Sequence, residues 1–269
     1  MGNEGSKGKN ASRAAGGGGV AIAKNPFKSG PSSTVVQQHL ENAKKSRVLQ
    51  LKGQGMKHVP EQLAEAAEFI RNLDISANKI RELPSFIGAF AELKQLHISD
   101  NLLEFLPDEI GMLRKLEVLN VSQNKLKSMP DTLVGCNSLK NINLSQNQLS
   151  SLPIVLCHLH ELDMLNLSNN RLTHIPDEIS SMRASELVFN QNQLSKLNSR
   201  SLVQAPRLKI LRVEENSLEK EEFDSGLLQQ DSQICLIAYS GNLFQDRDFQ
   251  SLPGYESYQQ RFTDTRRKM

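Results

Sequence analysis

The first six residues, Met-Gly-Asn-Glu-Gly-Ser, form a pattern that points to a covalent modification. Gly2, with a serine four positions later, matches M-G-x-x-x-[ST], in which a myristoyl chain is joined to the glycine amine after the initiator methionine is removed. One such chain binds a bilayer only marginally, so a second signal is needed. Basic side chains follow at Lys7, Lys9 and Arg13. They predict salt-sensitive attraction to an anionic, cytoplasm-facing leaflet.

Other reactive side chains do not form a catalytic or metal-binding set. His158 and His160 flank a leucine, but no cysteine or carboxylate cluster with metal-ligand spacing accompanies them. We interpret them as surface histidines. The Gly5–Lys9 segment, GSKGK, does not have the spacing of a phosphate-binding loop. We therefore expect no enzyme activity, no metal and no cofactor.

The cysteines also favour a structural interpretation. The chain has only three, Cys136, Cys157 and Cys235, and they are far apart. An odd number at such spacing is unlike a disulfide framework and favours a reducing compartment. We expect Cys136 and Cys157 to be small core residues.

Asparagine recurs with a fixed period of 23 residues. It stands at positions 78, 101, 124, 147 and 170, each time just after a leucine-rich stretch. An asparagine amide both donates and accepts hydrogen bonds, so it can satisfy backbone groups buried at a turn. We predict a ladder of stacked asparagines. Losing one member would leave buried groups unpaired, at a cost of about 1–3 kcal/mol.

The apolar residues around each asparagine follow one frame. In the 116–133 stretch they are two leucines three apart, a valine two further on, the asparagine, a leucine, a Met-Pro pair and a final leucine. Apolar residues two apart point to one face of a short strand. One copy cannot bury these side chains alone, so the copies must stack around a shared core. The proline then sends the chain into an extended or short helical return.

This frame is the leucine-rich-repeat signature, L-x-x-L-x-L-x-x-N-x-L. With its 23-residue length and Leu-Pro pair, the chain resembles the intracellular leucine-rich-repeat proteins related to Ras-pathway and polarity scaffolds. The segments PRLKILRVEEN and DSQICLIAYSGNLFQDRDFQSLPGYESYQQRFTDTRRK also carry the resemblance, which extends over 34–269. It implies a non-enzymatic, lipid-anchored repeat protein and supplies no catalytic residues.

The predicted fold class is α/β. We expect a curved leucine-rich-repeat solenoid with a parallel concave sheet, short helical or extended convex segments, and helical caps at both ends. Residues 1–33 are predicted to be a disordered, basic, Gly-rich tail, with five basic residues and one acidic residue (5 − 1 = +4). The repeat domain would cover 34–269, with a cap helix at 34–47, repeats over about 48–245 and a C-terminal cap at 246–269.

The concave face is the predicted partner-binding surface. Its outward positions, four residues before the repeat asparagines, are polar or charged in six strands: Asp74, His97, Asn120, Asn143, Asn166 and Arg212. The middle of this face is lined with asparagine, serine and small apolar groups, and such a surface suits hydrogen bonding to a protein. The face does not carry the basic stripe that nucleic acid would need.

Together these features predict a monomeric, membrane-tethered interaction scaffold at the cytoplasmic face of membranes, with a cytosolic pool. The alternative is a soluble regulatory adaptor that docks on an enzyme such as a small GTPase or a phosphatase, with the tail as a linker. The absence of any apolar run of about 20 residues argues against a transmembrane helix.

Overall fold

A computed structural model of the chain describes residues 30–223 and 225–266. The lipidation site Gly2 and the basic residues Lys7, Lys9 and Arg13 lie outside the described residues. In the described part, no helix is long and apolar enough to cross a membrane.

In the described residues, nine three-residue strands form one parallel sheet, with the strands in the same order as in the chain. Their bounds are β1 Val48–Gln50, β2 Asn72–Asp74, β3 Gln95–His97, β4 Val118–Asn120, β5 Asn141–Asn143, β6 Met164–Asn166, β7 Glu186–Val188, β8 Ile210–Arg212 and β9 Leu236–Ala238. With the caps described below, this arrangement confirms the predicted leucine-rich-repeat solenoid.

Each strand turns its middle residue into the core. In β5, Ile142 is buried, while Asn141 and Asn143 lie on the open face. Leu144 directly follows the strand and is also fully buried. Because the strands pair in register, the same positions stack from turn to turn into continuous columns.

The convex side is built mainly of 3-10 turns. They span Glu61–Ala66, Ser85–Ala89, Asp108–Met112, Asp131–Gly135, Ile154–His158, Asp177–Ser181 and Lys220–Glu222. The first six each follow an extended proline such as Pro107 (φ −71°, ψ 154°), because the proline ring fixes φ and disfavours a helical residue before it. Asn198 stands at the corresponding place in a later turn, adopts φ 52°, and precedes helix α2, Ser199–Gln204.

The repeat asparagines form the expected ladder. Asn124 donates from Nδ2 to the carbonyl oxygens of Val121 in its own turn and Ile98 in the turn before, both at 3.0 Å. Its Oδ1 accepts from the backbone N–H of Leu103 at 3.0 Å. The first turn differs, because Gln54 is exposed and reaches only the Lys52 carbonyl oxygen, at 3.4 Å.

Helices cover both ends of the sheet. Helix α1, Ser33–Ser46, buries Val36, Leu40 and Ala43 against the first turn, and its N-terminus is capped by Ser32. At the C-terminal end, α3, Ser225–Leu228, precedes β9, and α4, Asp246–Gln250, and α5, Tyr255–Arg266, follow it. The Tyr258 hydroxyl accepts from the Ile237 N–H of β9 at 3.0 Å. Phe249 packs its ring against those of Tyr239 and Tyr258.

Candidate functional site on the concave face

Five of the six predicted partner-binding residues form one uninterrupted row. Asp74, His97, Asn120, Asn143 and Asn166 are the last residues of β2 to β6, and the parallel register places each beside the next. At ordinary strand spacing this central row is about 19 Å long. All five side chains are half-buried.

The side-chain oxygens of the asparagines in this row already have a structural partner. Asn120, Asn143 and Asn166 each accept, through Oδ1, the backbone N–H of the serine two residues later, at 2.9–3.1 Å. Asp74 accepts the Ser76 N–H in the same way at 2.9 Å. These bonds are Asx-turns, which stabilise the bend after each strand. At these four positions the side-chain acceptor is therefore part of the turn.

The amide nitrogens of the same asparagines remain available. The Nδ2 atoms of Asn120, Asn143 and Asn166 make no hydrogen bond to any described residue. Every buried side-chain nitrogen or oxygen in the described part has a partner, so these three amides face solvent. Each carries two N–H donors. The row thus offers an array of donors, suited to the carbonyl and carboxylate oxygens of a bound polypeptide.

Arg212 is separated from this row. Between Asn166 and Arg212 lies Val188 of β7, which is buried and apolar. The Arg212 Nε donates to Glu186 Oε1 at 2.8 Å. Because the guanidinium already has a carboxylate partner within the sheet, Arg212 belongs to a second, charged patch at the C-terminal end of the concave face.

The reactive side chains are not gathered into a centre. Within 30–223 and 225–266 there is no group of three or more His, Cys, Asp or Glu side chains that could hold a metal ion. His158 and His160 are exposed, as expected. Cys136 and Cys157 are buried, and burial raises the pKa of each thiol to about 12. Both thiols are therefore protonated and unreactive at neutral pH.

Sequence reasoning missed one surface feature, a cleft of about 380 Å³ on the flank of the solenoid. It is lined by Lys57, His58, Lys79, Arg81 and Leu102. These residues follow the repeat asparagine, or the equivalent Gln54, by one, three or four positions. Basic residues recur at these positions in successive repeats, and this recurrence in the sequence could have indicated the cleft.

The repeats match a known family. The leucine rich repeat model matches residues 91–149 and 115–172. These residues include β3 to β6 and four of the five members of the central row.

Solved structures with the same fold include a leucine-rich-repeat protein of Leptospira interrogans, with a TM-score of 0.66 at 25% identity over 81% of this chain and 62% of that one. The effector YopM of Yersinia pestis has a TM-score of 0.58 at 22% identity over 82% and 68%. Internalin C2 of Listeria monocytogenes has a TM-score of 0.61 at 18% identity over 75% and 84%. The chain thus spans less than two thirds of the Leptospira protein it matches.

Proposed function

Since the chain folds as a leucine-rich-repeat solenoid whose central repeats match that family, we propose that it is a non-enzymatic interaction scaffold, N-myristoylated at Gly2. A protein partner binds the concave face, and the lipid anchor holds the complex at the cytoplasmic face of membranes. The solvent-facing amide donors of Asn120, Asn143 and Asn166 are the observation that carries this proposal. Solenoids of this kind use their extended concave surfaces for binding.

The central row fits a polypeptide better than a small molecule. It is an open strip about 19 Å long rather than an enclosed pocket. Its donors repeat at the strand spacing, so an extended segment of a partner can meet several of them with its own oxygen atoms. Such contacts require no catalytic group.

The partner-binding test replaces both Asn143 and Asn166. Substitution of both by arginine adds bulk and charge, and we expect it to abolish capture of the principal partner in quantitative proximity labelling in intact cells. Asn143→Asp with Asn166→Asp is the sharper variant. It keeps the acceptor that each Asx-turn needs, as Asp74 shows at the same position in β2, but removes the amide donors.

The matched control places the same two charges elsewhere. Asn42→Asp with Asn137→Asp changes two exposed asparagines away from the concave face, and it should retain every partner. A concave-face variant that melts like wild type and still labels the full wild-type set would move the binding surface off the central row.

The anchor rests on the N-terminal motif and on a resemblance. The segment from Asp231 to Lys268 resembles the end of leucine-rich-repeat-containing protein 57, and the match at Met-Gly supports acylation at Gly2. Palmitate is not available as a second lipid in the tail, because the first cysteine is Cys136, within the repeats. The second signal must therefore come from charge, and binding should be reversible and weaken as salt rises.

The anchor test compares wild type with Gly2→Ala in membrane fractionation of eukaryotic cells. The substitution should release the protein to the cytosol. Neutralising Lys7, Lys9 and Arg13 together should release it partly, with acylation intact. Mass spectrometry that shows a free or acetylated glycine would overturn the anchor, and the chain would then be a soluble adaptor that docks on an enzyme such as a small GTPase or a phosphatase.

A further inference from the structure

The cleft on the flank of the solenoid is lined chiefly by basic side chains. Lys57, Lys79 and Arg81, together with His58, contribute its polar wall, and Leu102 contributes its apolar wall. We call Lys57, Lys79 and Arg81 the basic flank. They come from two successive turns of the solenoid, in the segments that leave the sheet for the convex side.

A second backbone ladder fixes the spacing of these segments. The Lys79 N–H donates to the Met56 carbonyl oxygen at 2.7 Å, and the Leu102 N–H donates to the Ile80 carbonyl oxygen at 2.8 Å. The Lys125 N–H continues this pattern in the next turn, at 2.8 Å from the Leu103 carbonyl oxygen. The three cations of the basic flank are therefore held side by side on rigid backbone.

Among the described residues, the basic flank has no counter-ion. Lys57, Lys79 and Arg81 are exposed, and none forms a hydrogen bond or ion pair through its side chain with any described residue. Before the strands begin, at the opposite end of the strands from the basic flank, Lys94 is paired with Glu117 at 2.8 Å and Lys115 is paired with Glu92. The basic flank therefore remains available to an external anion.

The local charge differs in sign from that of the domain. In the first four of the segments that connect the repeat asparagine (or Gln54) to the proline, there are five basic residues and two acidic ones (5 − 2 = +3). These residues are Lys57, Lys79, Arg81, Lys125 and Lys127 against Glu82 and Glu104. Residues 34–269 as a whole carry a formal charge of −2, since 1–33 account for +4 of the total of +2.

The N-terminal tail joins the folded domain next to this cleft. A Cβ atom on Gly30 would lie 3.6 Å from the Cα of Met56, the residue before Lys57. The described part of the chain therefore begins, at Gly30, beside the basic flank. A membrane anchor at Gly2 would therefore be connected to the solenoid at this point.

We propose that the basic flank is a docking surface for anionic membrane lipids and contributes, together with the basic residues of the tail, the second signal that a single acyl chain needs. Lipid phosphate and carboxylate groups meet the three cations, and Phe105, which is 53% exposed in the following turn, adds apolar contact at the interface. The solenoid then lies on its flank, with the concave face open to a partner. This inference adds orientation to the proposed lipid anchor, but the charge attraction does not require the acyl chain.

The test uses the full unmodified chain, made in bacteria without an N-myristoyltransferase, and phosphatidylcholine vesicles with or without phosphatidylserine. Wild type should sediment with the phosphatidylserine vesicles in a salt-sensitive manner. Lys57→Gln, Lys79→Gln and Arg81→Gln together should lower the partition coefficient by about tenfold or more. The matched control, Arg183→Gln, Arg200→Gln and Lys209→Gln, removes the same charge at the other end of the solenoid and should bind like wild type.

Three results would overturn the inference. The flank variant could bind like wild type, or neutralising Lys7, Lys9 and Arg13 alone could remove all binding, which would assign the attraction to the tail. Wild type could also ignore the vesicles and bind a polyglutamate peptide, which would make the flank a surface for acidic proteins. Circular dichroism melts must first show that each variant is folded. Because no acyl chain is present, the outcome is independent of whether Gly2 is myristoylated in cells.

Discussion

The amide nitrogen of Asn147 lies 3.1 Å from the carbonyl oxygen of Val121, 26 residues earlier in the chain and one turn away in the solenoid. Its Oδ1 accepts the backbone N–H of Leu126 at 3.0 Å. The Asn147 side chain thus binds two places in the preceding turn, the end of its strand and its return segment. Repetition of this link at successive asparagines holds the turns in register.

Asn147→Ala should destabilise the domain, because it leaves buried backbone groups of two turns without partners. We expect a loss of about 1–3 kcal/mol for an unsatisfied group of this kind, measured by urea unfolding. Asn137→Ala, an exposed convex asparagine, is the control and should be near neutral. Equal unfolding midpoints for the two variants would show that the ladder bonds are not what holds the turns together.

Leu144→Ala tests the register of the core column. Leu144 is fully buried next to β5, so its truncation should leave a cavity and cost about 2–5 kcal/mol. The measurement is the thermal midpoint by circular dichroism. Val134→Ala, at a side chain that is 47% exposed on the convex face, should shift the midpoint much less. A midpoint for Leu144→Ala equal to that of wild type would show that the column is wrongly assigned.

The three cysteines should differ in reactivity in the folded protein. Burial raises the pKa of Cys136 and Cys157 to about 12, so at pH 8 both thiols are protonated and shielded from reagents. Cys235 is only partly buried and should be alkylated first by iodoacetamide. Peptide mass spectrometry after a short pulse should find the label mainly on Cys235, whereas unfolding in urea should expose all three. Equal labelling in the folded state would contradict this assignment.

Asp177 should contribute stability that depends on pH. The Asn198 amide donates to its Oδ1 at 2.9 Å and the Ser201 hydroxyl donates at 3.1 Å. These bonds, the one from Asn198 first, hold the pKa of the Asp177 carboxyl below its ordinary value of 3.8. A carboxyl whose pKa is lowered in the folded state stabilises that state at pH values above its ordinary pKa. This contribution is lost as the pH falls through 3.8 toward the lowered pKa.

Asp177→Ala should therefore have a lower thermal midpoint than wild type at pH 7. The difference between the two midpoints should become smaller at pH values below the ordinary carboxyl pKa. Thermal melts of both proteins across this range provide the measurement. Asp131→Ala is a matched control, because Asp131 also opens a 3-10 turn directly after a proline. A gap that stays constant with pH would show that the carboxylate itself is not responsible.

The sequence by itself determined the repeat unit. Three sequence features were sufficient to predict the solenoid, the parallel sheet and the core column containing Leu144. They are the 23-residue spacing, the alternation of apolar residues in each strand and the asparagine that follows it. These features depend on local periodicity, and stacking identical units repeats one solution along the chain. The extended or helical alternative on the convex side stayed open in the sequence, because short 3-10 turns carry little pattern of their own.

Only the tertiary structure decided what the surface side chains are free to do. It showed that the Asn143 oxygen is engaged in an Asx-turn while its amide nitrogen faces solvent. It paired Arg212 of β8 with Glu186 of the neighbouring strand β7, 26 residues earlier in the chain. It also placed Lys57 and Lys79, 22 positions apart in the chain, on one cleft. Periodicity places a residue on a face, but whether its polar atoms are engaged depends on neighbours from other turns, which only the folded chain brings within hydrogen-bonding distance.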